Sequence, residues 1–367
     1  MSADKKAPIR VLVADDSFFM RKILTEILED SNGAIQVVDS AQNGWEAVEK
    51  NKALNPDVIT MDVEMPKLDG ISALQRIMLD HPTPVIMVSS HTAKGTEMAV
   101  RALEIGAIDC VAKPAGRLLG NARAIQGELI EKVKVAALCR FRSRVGGSVM
   151  AVEKAGTKEP EKPVEPSKPA ADKPAAFLVA IASSTGGPRA LNELFSRLKR
   201  SPGVAMVIVQ HISVGFSKAL ARRLSDVGPL KVTEAVEGEM LLEGHAYVAP
   251  GGVHLAIEGG PGAFRTVTND LPPRLGVKPS ADLMMTSVAK MAGNQCAGVV
   301  LTGMGRDGTL GLKDIHKAGG KTFAQDEKSC VVYGMPKSAV EAGAVDQQLV
   351  LSLMADQINL LGPRRKE

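Results

Sequence analysis

Two groups of side chains in this sequence have the types and placement to do chemistry. The first comprises Ser183, Ser184 and Thr185 in FLVAIASSTGGPRAL, His211 in VIVQHIS and Asp307 in LTGMGRDG. A hydroxyl, an imidazole and a carboxylate are the parts of a serine hydrolase: the imidazole takes the hydroxyl proton and the carboxylate fixes the imidazole tautomer. The second group is acidic, with Asp15, Asp16 and Asp62 accompanied by Ser89 and Lys113. Carboxylates at close range destabilise one another, and a hard cation such as Mg²⁺ resolves the conflict. An aspartate held beside such an ion can attack a phosphoryl group while a lysine and a hydroxyl steady the transferred oxygens.

Both groups need elements that bring distant residues together. In the first 142 residues, IRVLVA, IQVVDSA, DVITM, PVIMVSS and DCVA read as five strands, separated by amphipathic stretches such as FMRKILTEILED. Five β/α units of this kind make a doubly wound parallel sheet, whose ligands bind outside the carboxyl ends of the strands. Asp15 and Asp16 follow the first strand, Asp62 the third, Ser89 the fourth and Lys113 the fifth, so the acidic group gathers at one edge. From Phe177 onward FLVAIA, AMVIVQ, HAYVAP, GVVLT and KTFAQ repeat the theme, predicting a second α/β unit of Rossmann-like type. Between the two lies 143–176, rich in proline and in charges of both signs and nearly devoid of large apolar side chains. Such a composition predicts a semi-extended linker, and domains at 1–142 and 177–367.

The hydroxyls of the second unit stand where a strand gives way to a helix. Gly186 and Gly187 allow a tight turn there, and Pro188 suits a first helical turn. Backbone N–H groups at a helix start could stabilise an oxyanion. Helix capping is the alternative employment for Ser and Thr at such a place. Of the six histidines, only His211 directly follows an apolar strand as the serines do. His81 and His91 belong to the first unit, His316 to a helical stretch, His245 to a strand start and His254 to a strand. Asp307 supplies the carboxylate from a third strand end. The chain order Ser, His, Asp differs from that of the α/β-hydrolases, and G-x-S-x-G is absent. The loop Gly303 to Gly308 also fits the dinucleotide fingerprint G-x-G-x-x-G, but Asp307 would set a carboxylate where a pyrophosphate must lie.

Composition narrows the remaining classes. A net charge of +4 against 45 basic and 41 acidic residues leaves no basic stripe for nucleic acid. Cys110, Cys139, Cys296 and Cys330 are widely spaced, as packing residues are, with no C-x-x-C pair. The N-terminal apolar run is cut by Asp15 and Asp16 before it reaches signal-peptide length, and no run is long enough to span a bilayer. A cytoplasmic protein without membrane insertion is expected.

The motifs DDS at 15–17, TMDVEMP at 60–66 and AKP at 112–114 resemble those of response-regulator receiver domains over about residues 8–130. That resemblance implies a flavodoxin-like fold, Asp62 as phosphoacceptor, Asp15 and Asp16 with Asp62 as Mg²⁺ carboxylates, Ser89 as switch hydroxyl and Lys113 as the phosphate-sensing cation. One departure is Cys110, which stands where receivers often carry an aromatic whose rotamer reports phosphorylation. The second unit resembles the catalytic domain of the chemotaxis protein-glutamate methylesterases, the CheB family. SSTGGP at 183–188, QH at 210–211, VAPGGVHL at 248–255, KPSAD at 278–282, LTGMGRDG at 301–308 and SCVVYGMPKSAV at 329–340 carry it.

Alignment on STGG implies Ser184 as nucleophile, His211 as general base, Asp307 as its orienter and the Met304 N–H as oxyanion donor. Where the family usually reads G-A-S-T-G-G, this chain has Ala182 and Ser183, placing a second hydroxyl beside the first. Implied substrates are methylated glutamates on cytoplasmic chemoreceptor helices, and often receptor glutamines, with no cofactor in the esterase unit. A chemotaxis histidine kinase is the implied phosphodonor.

Overall fold

The computed structural model describes residues 7–90, 92–113, 119–139 and 173–363. The expected linker up to residue 172, and Pro114 of the AKP motif, lie outside the described residues.

The first unit alternates β1 (Ile9–Ala14), α1 (Phe18–Glu29), β2 (Ile35–Ala41), α2 (Gly44–Leu54), β3 (Val58–Asp62), α3 (Gly70–Asp80), β4 (Val85–Ser89), α4 (Ala93–Ile105), β5 (Asp109–Ala112) and α5 (Leu119–Leu138). The strands form one sheet in the order β2-β1-β3-β4-β5, every pair parallel. β3 and β4 are buried along their whole length, as a sheet covered on both faces requires. In α1 the apolar spacing puts Ile23, Leu24, Ile27 and Leu28 against the sheet, and the Ser17 hydroxyl caps its start by accepting from the Met20 N–H.

The second unit begins before the residue at which the sequence pattern starts. Pro174 bridges to Leu242, Ala175 is fully buried, and Ala176 donates its N–H to the Gly203 carbonyl. Its elements are β6 (Phe177–Ser183), α6 (Gly187–Phe195), β7 (Val204–Gln210), α7 (Ser217–Val227), β8 (Lys231–Glu234), β9 (His245–Val248), β10 (His254–Glu258), β11 (Arg265–Asn269), α8 (Ala281–Ala292), β12 (Cys296–Val300), α9 (Thr309–Lys317), β13 (Lys321–Gln325), α10 (Met335–Glu341), β14 (Gln347–Leu349) and α11 (Leu351–Asn359). Seven strands form a parallel sheet in the order β14-β13-β12-β6-β7-β9-β8, and β10 and β11 pair apart as an antiparallel hairpin. Two of the seven, β8 and β14, are short edge strands outside the five apolar runs. The VHLAIE stretch around His254 belongs to the hairpin.

β12, β6 and β7 are consecutive neighbours, fully buried. Their carboxyl ends therefore lie side by side, with the order reversing at β6, where β7 continues to one side and β12 lies on the other. That is the crevice in which an open parallel sheet places its ligands.

The two units pack on one another. Ile212, Phe216 and Ala219 join the apolar cluster of the first unit that holds Leu103, Cys110 and Ala112, and Phe216 is fully buried. Around this seam Arg222 pairs with Glu97 and Arg223 with Glu104, while the Ser213 hydroxyl donates to Glu128 at 2.7 Å. Glu128 is itself held by Lys132 at 2.8 Å, which also bonds Asp109 and the Cys110 carbonyl. Burial alone would raise the Glu128 carboxyl, but Lys132 and the Ser213 hydroxyl hold it below the usual range.

Candidate active site

The strand-to-helix turn after β6 treats its two serines differently. Ser183 is fully buried and donates its hydroxyl to the Gln210 side-chain carbonyl at 2.7 Å. Ser184 is half-buried, and among the described residues its hydroxyl has no hydrogen bond. The capping alternative is not realised: the residue before α6 is Gly186, at φ 77°, and no side chain caps that helix. Gly186 needs this left-handed backbone, and a Cβ on it would strike the Val331 side chain at 2.5 Å. Pro188 occupies the first turn, as expected.

Gln210 ties the two strand ends together. Its amide nitrogen donates to the carbonyls of Ser184 and His211, each at 2.9 Å, and the His211 N–H donates to the Ser183 carbonyl. Beside this frame the His211 Nε2 lies 2.8 Å from Asp307 Oδ2. The other ring nitrogen, Nδ1, has no hydrogen-bond partner among the described residues. No hydrogen bond joins Ser184 to His211, so the structure unites the imidazole and carboxylate directly and the serine through the backbone and Gln210.

Asp307 is buried and accepts from four donors. Besides His211 these are the Ser280 hydroxyl at 2.8 Å and the N–H groups of Ala281 at 2.6 Å and Asp282 at 3.0 Å. The carboxylate thus sits on the N-terminus of α8, where exposed amide donors and the helix dipole favour negative charge. Burial pushes its pKa upward, but the His211 contact and the two amides outweigh burial and hold it below the ordinary carboxylate value. The α8 N-terminus is thereby taken by a carboxylate of the chain's own.

That loop closes over the serine. A Cβ on Gly303 would meet the Ser184 Cβ at 2.7 Å, so only glycine permits this approach. The carbonyl of Gly303 accepts from Gly334 and Met335, whereas the N–H of the next residue, Met304, has no backbone acceptor. An unspent N–H one residue from this contact can serve an anion forming at Ser184.

At the carboxyl edge of the first sheet, carboxylate oxygens of Asp15, Asp16 and Asp62 lie within 4.8 Å of one another. Lys113 Nζ reaches Asp15 at 2.7 Å and Asp62 at 2.6 Å. Burial, with the Asp15 charge adding to it, pushes Asp62 up to about 6 despite the lysine. Burial likewise raises Asp15. Two strained carboxylates and an exposed third are an all-oxygen donor set that a hard divalent cation would relieve, so the residues fit Mg²⁺. The Ser89 hydroxyl is buried and donates to the Gly95 carbonyl in the first turn of α4, at 2.8 Å. Cys110 is fully buried, and burial drives its thiol far above the ordinary value. All four cysteines are free.

Sequence reasoning missed Gln210, Ser280 and the seam residues Ser213 and Phe216. Ser280 left a signal: a serine opening an amphipathic stretch, as a helix cap does, within KPSAD. Gln210 stands in the quoted QH pair, but nothing there announces its tie to Ser183 and Ser184; the seam left no signal, because Ser213 meets Glu128 across units distant in sequence.

A receiver-type sheet with a carboxylate cluster, joined to a parallel α/β unit with serine, histidine and aspartate at adjacent strand ends, defines a regulated hydrolase class. Residues 179–358 match the CheB methylesterase family and 11–121 the response regulator receiver domain family. A Symbiobacterium thermophilum protein named protein-glutamate methylesterase/protein-glutamine glutaminase is 43% identical over 367 residues, covering 98% of each chain. A Pyrococcus abyssi protein of the same name is 42% identical over 95% of this chain and 92% of its own. A Caulobacter vibrioides relative, the first of that name, is 44% identical over 98% of this chain and 100% of its own. The chain belongs to the family of two-domain CheB protein-glutamate methylesterases.

Proposed function

We propose that this chain hydrolyses glutamate methyl esters on the cytoplasmic helices of chemoreceptors, and glutamine amides at the same positions, under phosphorylation control. The observation that carries the proposal is the unbonded Ser184 hydroxyl beside a His211–Asp307 pair whose carboxylate is held by four donors. The Ser184 Oγ attacks the ester carbonyl while its proton passes to His211 Nδ1. Asp307 fixes the proton on Nε2 and balances the imidazolium, and stays ionised because its donors hold its pKa down. The Met304 N–H receives the developing oxyanion. Collapse expels methanol with the proton from His211, and water then attacks the acyl-enzyme to release glutamate. Turnover of a methylated receptor peptide by the purified chain tests this; stoichiometric binding without methanol release would leave a scaffold instead.

The domain division proposed is a receiver at 1–142, a linker from 143, and a catalytic unit that takes in Pro174 to Ala176 from the expected 143–176 linker, in a protein of the cytoplasm. No helix among the described residues is long and apolar enough to cross a membrane. In the receiver, Asp62 is the proposed phosphoacceptor from a chemotaxis histidine kinase, with Asp15, Asp16 and Asp62 holding Mg²⁺. The ion supplies counter-charge to phosphoryl oxygens when bound. An Asp62 oxygen attacks phosphorus as the bond to the kinase histidine breaks, and Lys113 pairs with the transferred oxygens. Chelation of divalent ions should therefore abolish labelling of Asp62 by a small phosphodonor, and an Asp16→Asn chain should need more Mg²⁺ for the same labelling.

Control is proposed to run through the seam between the units. It contacts Ile212, Ser213 and Phe216, which follow closely on His211. At its other end the Cys139 thiol lies 3.7 Å from the carbonyl of Val331, the residue packed on Gly186. Ser89 can turn to a phosphoryl group on Asp62 only by releasing the Gly95 carbonyl, which frees α4, the helix that carries Glu97 and Glu104 into the seam. Low basal turnover is expected in the full chain, with a rise on adding a phosphodonor and Mg²⁺. A fragment starting at Lys173, which keeps Ala175 in the core, should be constitutively active. Reversing both ion pairs, Arg222→Glu with Arg223→Glu, should raise the basal rate severalfold. A fragment no faster than the unphosphorylated chain would show that the receiver does not mask the site.

A further inference from the structure

We infer that His254 is a positioning residue for hydrolysis, acting on Asp307 through the start of α8; the inference rests on the roles of Ser184, His211 and Asp307 proposed above. His254 lies on β10, off the main sheet, and is fully buried. Its Nδ1 is 3.0 Å from the Ser280 N–H and its Nε2 is 3.1 Å from the Pro272 carbonyl oxygen. An N–H only donates and a carbonyl only accepts, so both contacts are satisfied by one form alone: the neutral ring with its proton on Nε2. With both nitrogens engaged, His254 has none to offer a substrate.

The residue it holds is the one that holds Asp307. Ser280 precedes α8, and its hydroxyl donates to Asp307 Oδ1 at 2.8 Å. The next two residues give their N–H groups to the same carboxylate. Three of the four donors on Asp307 thus come from 280–282, and the backbone of the first is fastened to His254. Ser280 is fully buried, where an N–H without an acceptor is costly. Remove the acceptor and this segment has reason to shift toward another. A misplacement of about 1 Å at a catalytic constellation can cost about 10²-fold in rate. A leucine would fill the space of His254 but accept nothing.

The test uses the full chain and an alkyl fluorophosphonate, which reads the reactivity of Ser184 without a receptor. In that reaction the Ser184 Oγ–P bond forms, the P–F bond breaks, fluoride leaves and the serine proton passes to His211. His254→Asn places a carbonyl oxygen near the Nδ1 position and keeps an acceptor for Ser280. His254→Gln reaches toward Pro272 and does not. The glutamine variant is expected to lose about tenfold in the maximal labelling rate with unchanged probe affinity, and the asparagine variant to recover most of it. Labelling of Ser184 at one common rate in both variants and the native chain would overturn this inference alone. Label on another residue of the native chain would overturn the nucleophile assignment with it. A ¹⁵N imidazole spectrum of the native chain needs no variant: it should show His254 as the Nε2–H tautomer, and an imidazolium or an Nδ1–H ring at neutral pH would contradict the arrangement.

Discussion

Replacing Ser184 by alanine should abolish ester hydrolysis, with a loss in kcat of about 10⁴-fold or more, while Ser183→Ala should retain most of it. The contrast follows from two adjacent hydroxyls in opposite circumstances. Ser184 is half-buried and unbonded at the crevice; Ser183 is sealed beneath it, its proton committed to Gln210. The cost of Ser183→Ala falls on stability, since the Gln210 carbonyl oxygen loses its donor in a buried place, at about 1–3 kcal/mol. Thermal unfolding should register that loss while methanol release stays near normal. An acyl group trapped on Ser183, or full turnover by Ser184→Ala, would move the nucleophile.

Asp307→Asn should lower kcat by about 10² to 10⁴ with little change in KM. The amide cannot balance an imidazolium. Its NH₂ group would also face the His211 Nε2 or one of the α8 donors, all of which now point N–H or O–H at a carboxylate. The imidazole then loses the partner that keeps its proton on Nε2. A kcat near that of the native chain would reduce Asp307 to a cap on α8, and a gain of dinucleotide affinity would restore the fingerprint reading of the 303–308 loop.

What was legible in the sequence and what was not divide along physical lines. The five strands of the first sheet and the central strands of the second announce themselves because a parallel strand buried on both faces must be apolar throughout. β8 and β14, at the edges and partly exposed, carry no such run. The stretch at His254 was read as a strand, but its partner and its separation from the main sheet depend on β11, which is polar in composition. Ser184, His211 and Asp307 could be read as candidates because strand ends in a parallel sheet share one edge. Their support could not. The Ser280 contact to Asp307 spans 27 residues and the Ser213 contact to Glu128 spans 85, and nothing local in either segment demands its partner. Alignment on STGG picked Ser184 over Ser183; the structure adds the reason a second hydroxyl can be tolerated there, which is that Gln210 occupies it.

Coupling of the receiver to the esterase within one chain has a direct readout. It is methanol release from receptor membranes carrying labelled methyl esters, measured with the full chain before and after adding a small phosphodonor and Mg²⁺. Slow release is expected before the phosphodonor, a severalfold or greater rise after it, and no rise in Asp62→Asn. Release that is absent under both conditions, or a rise that persists in Asp62→Asn, would contradict that coupling.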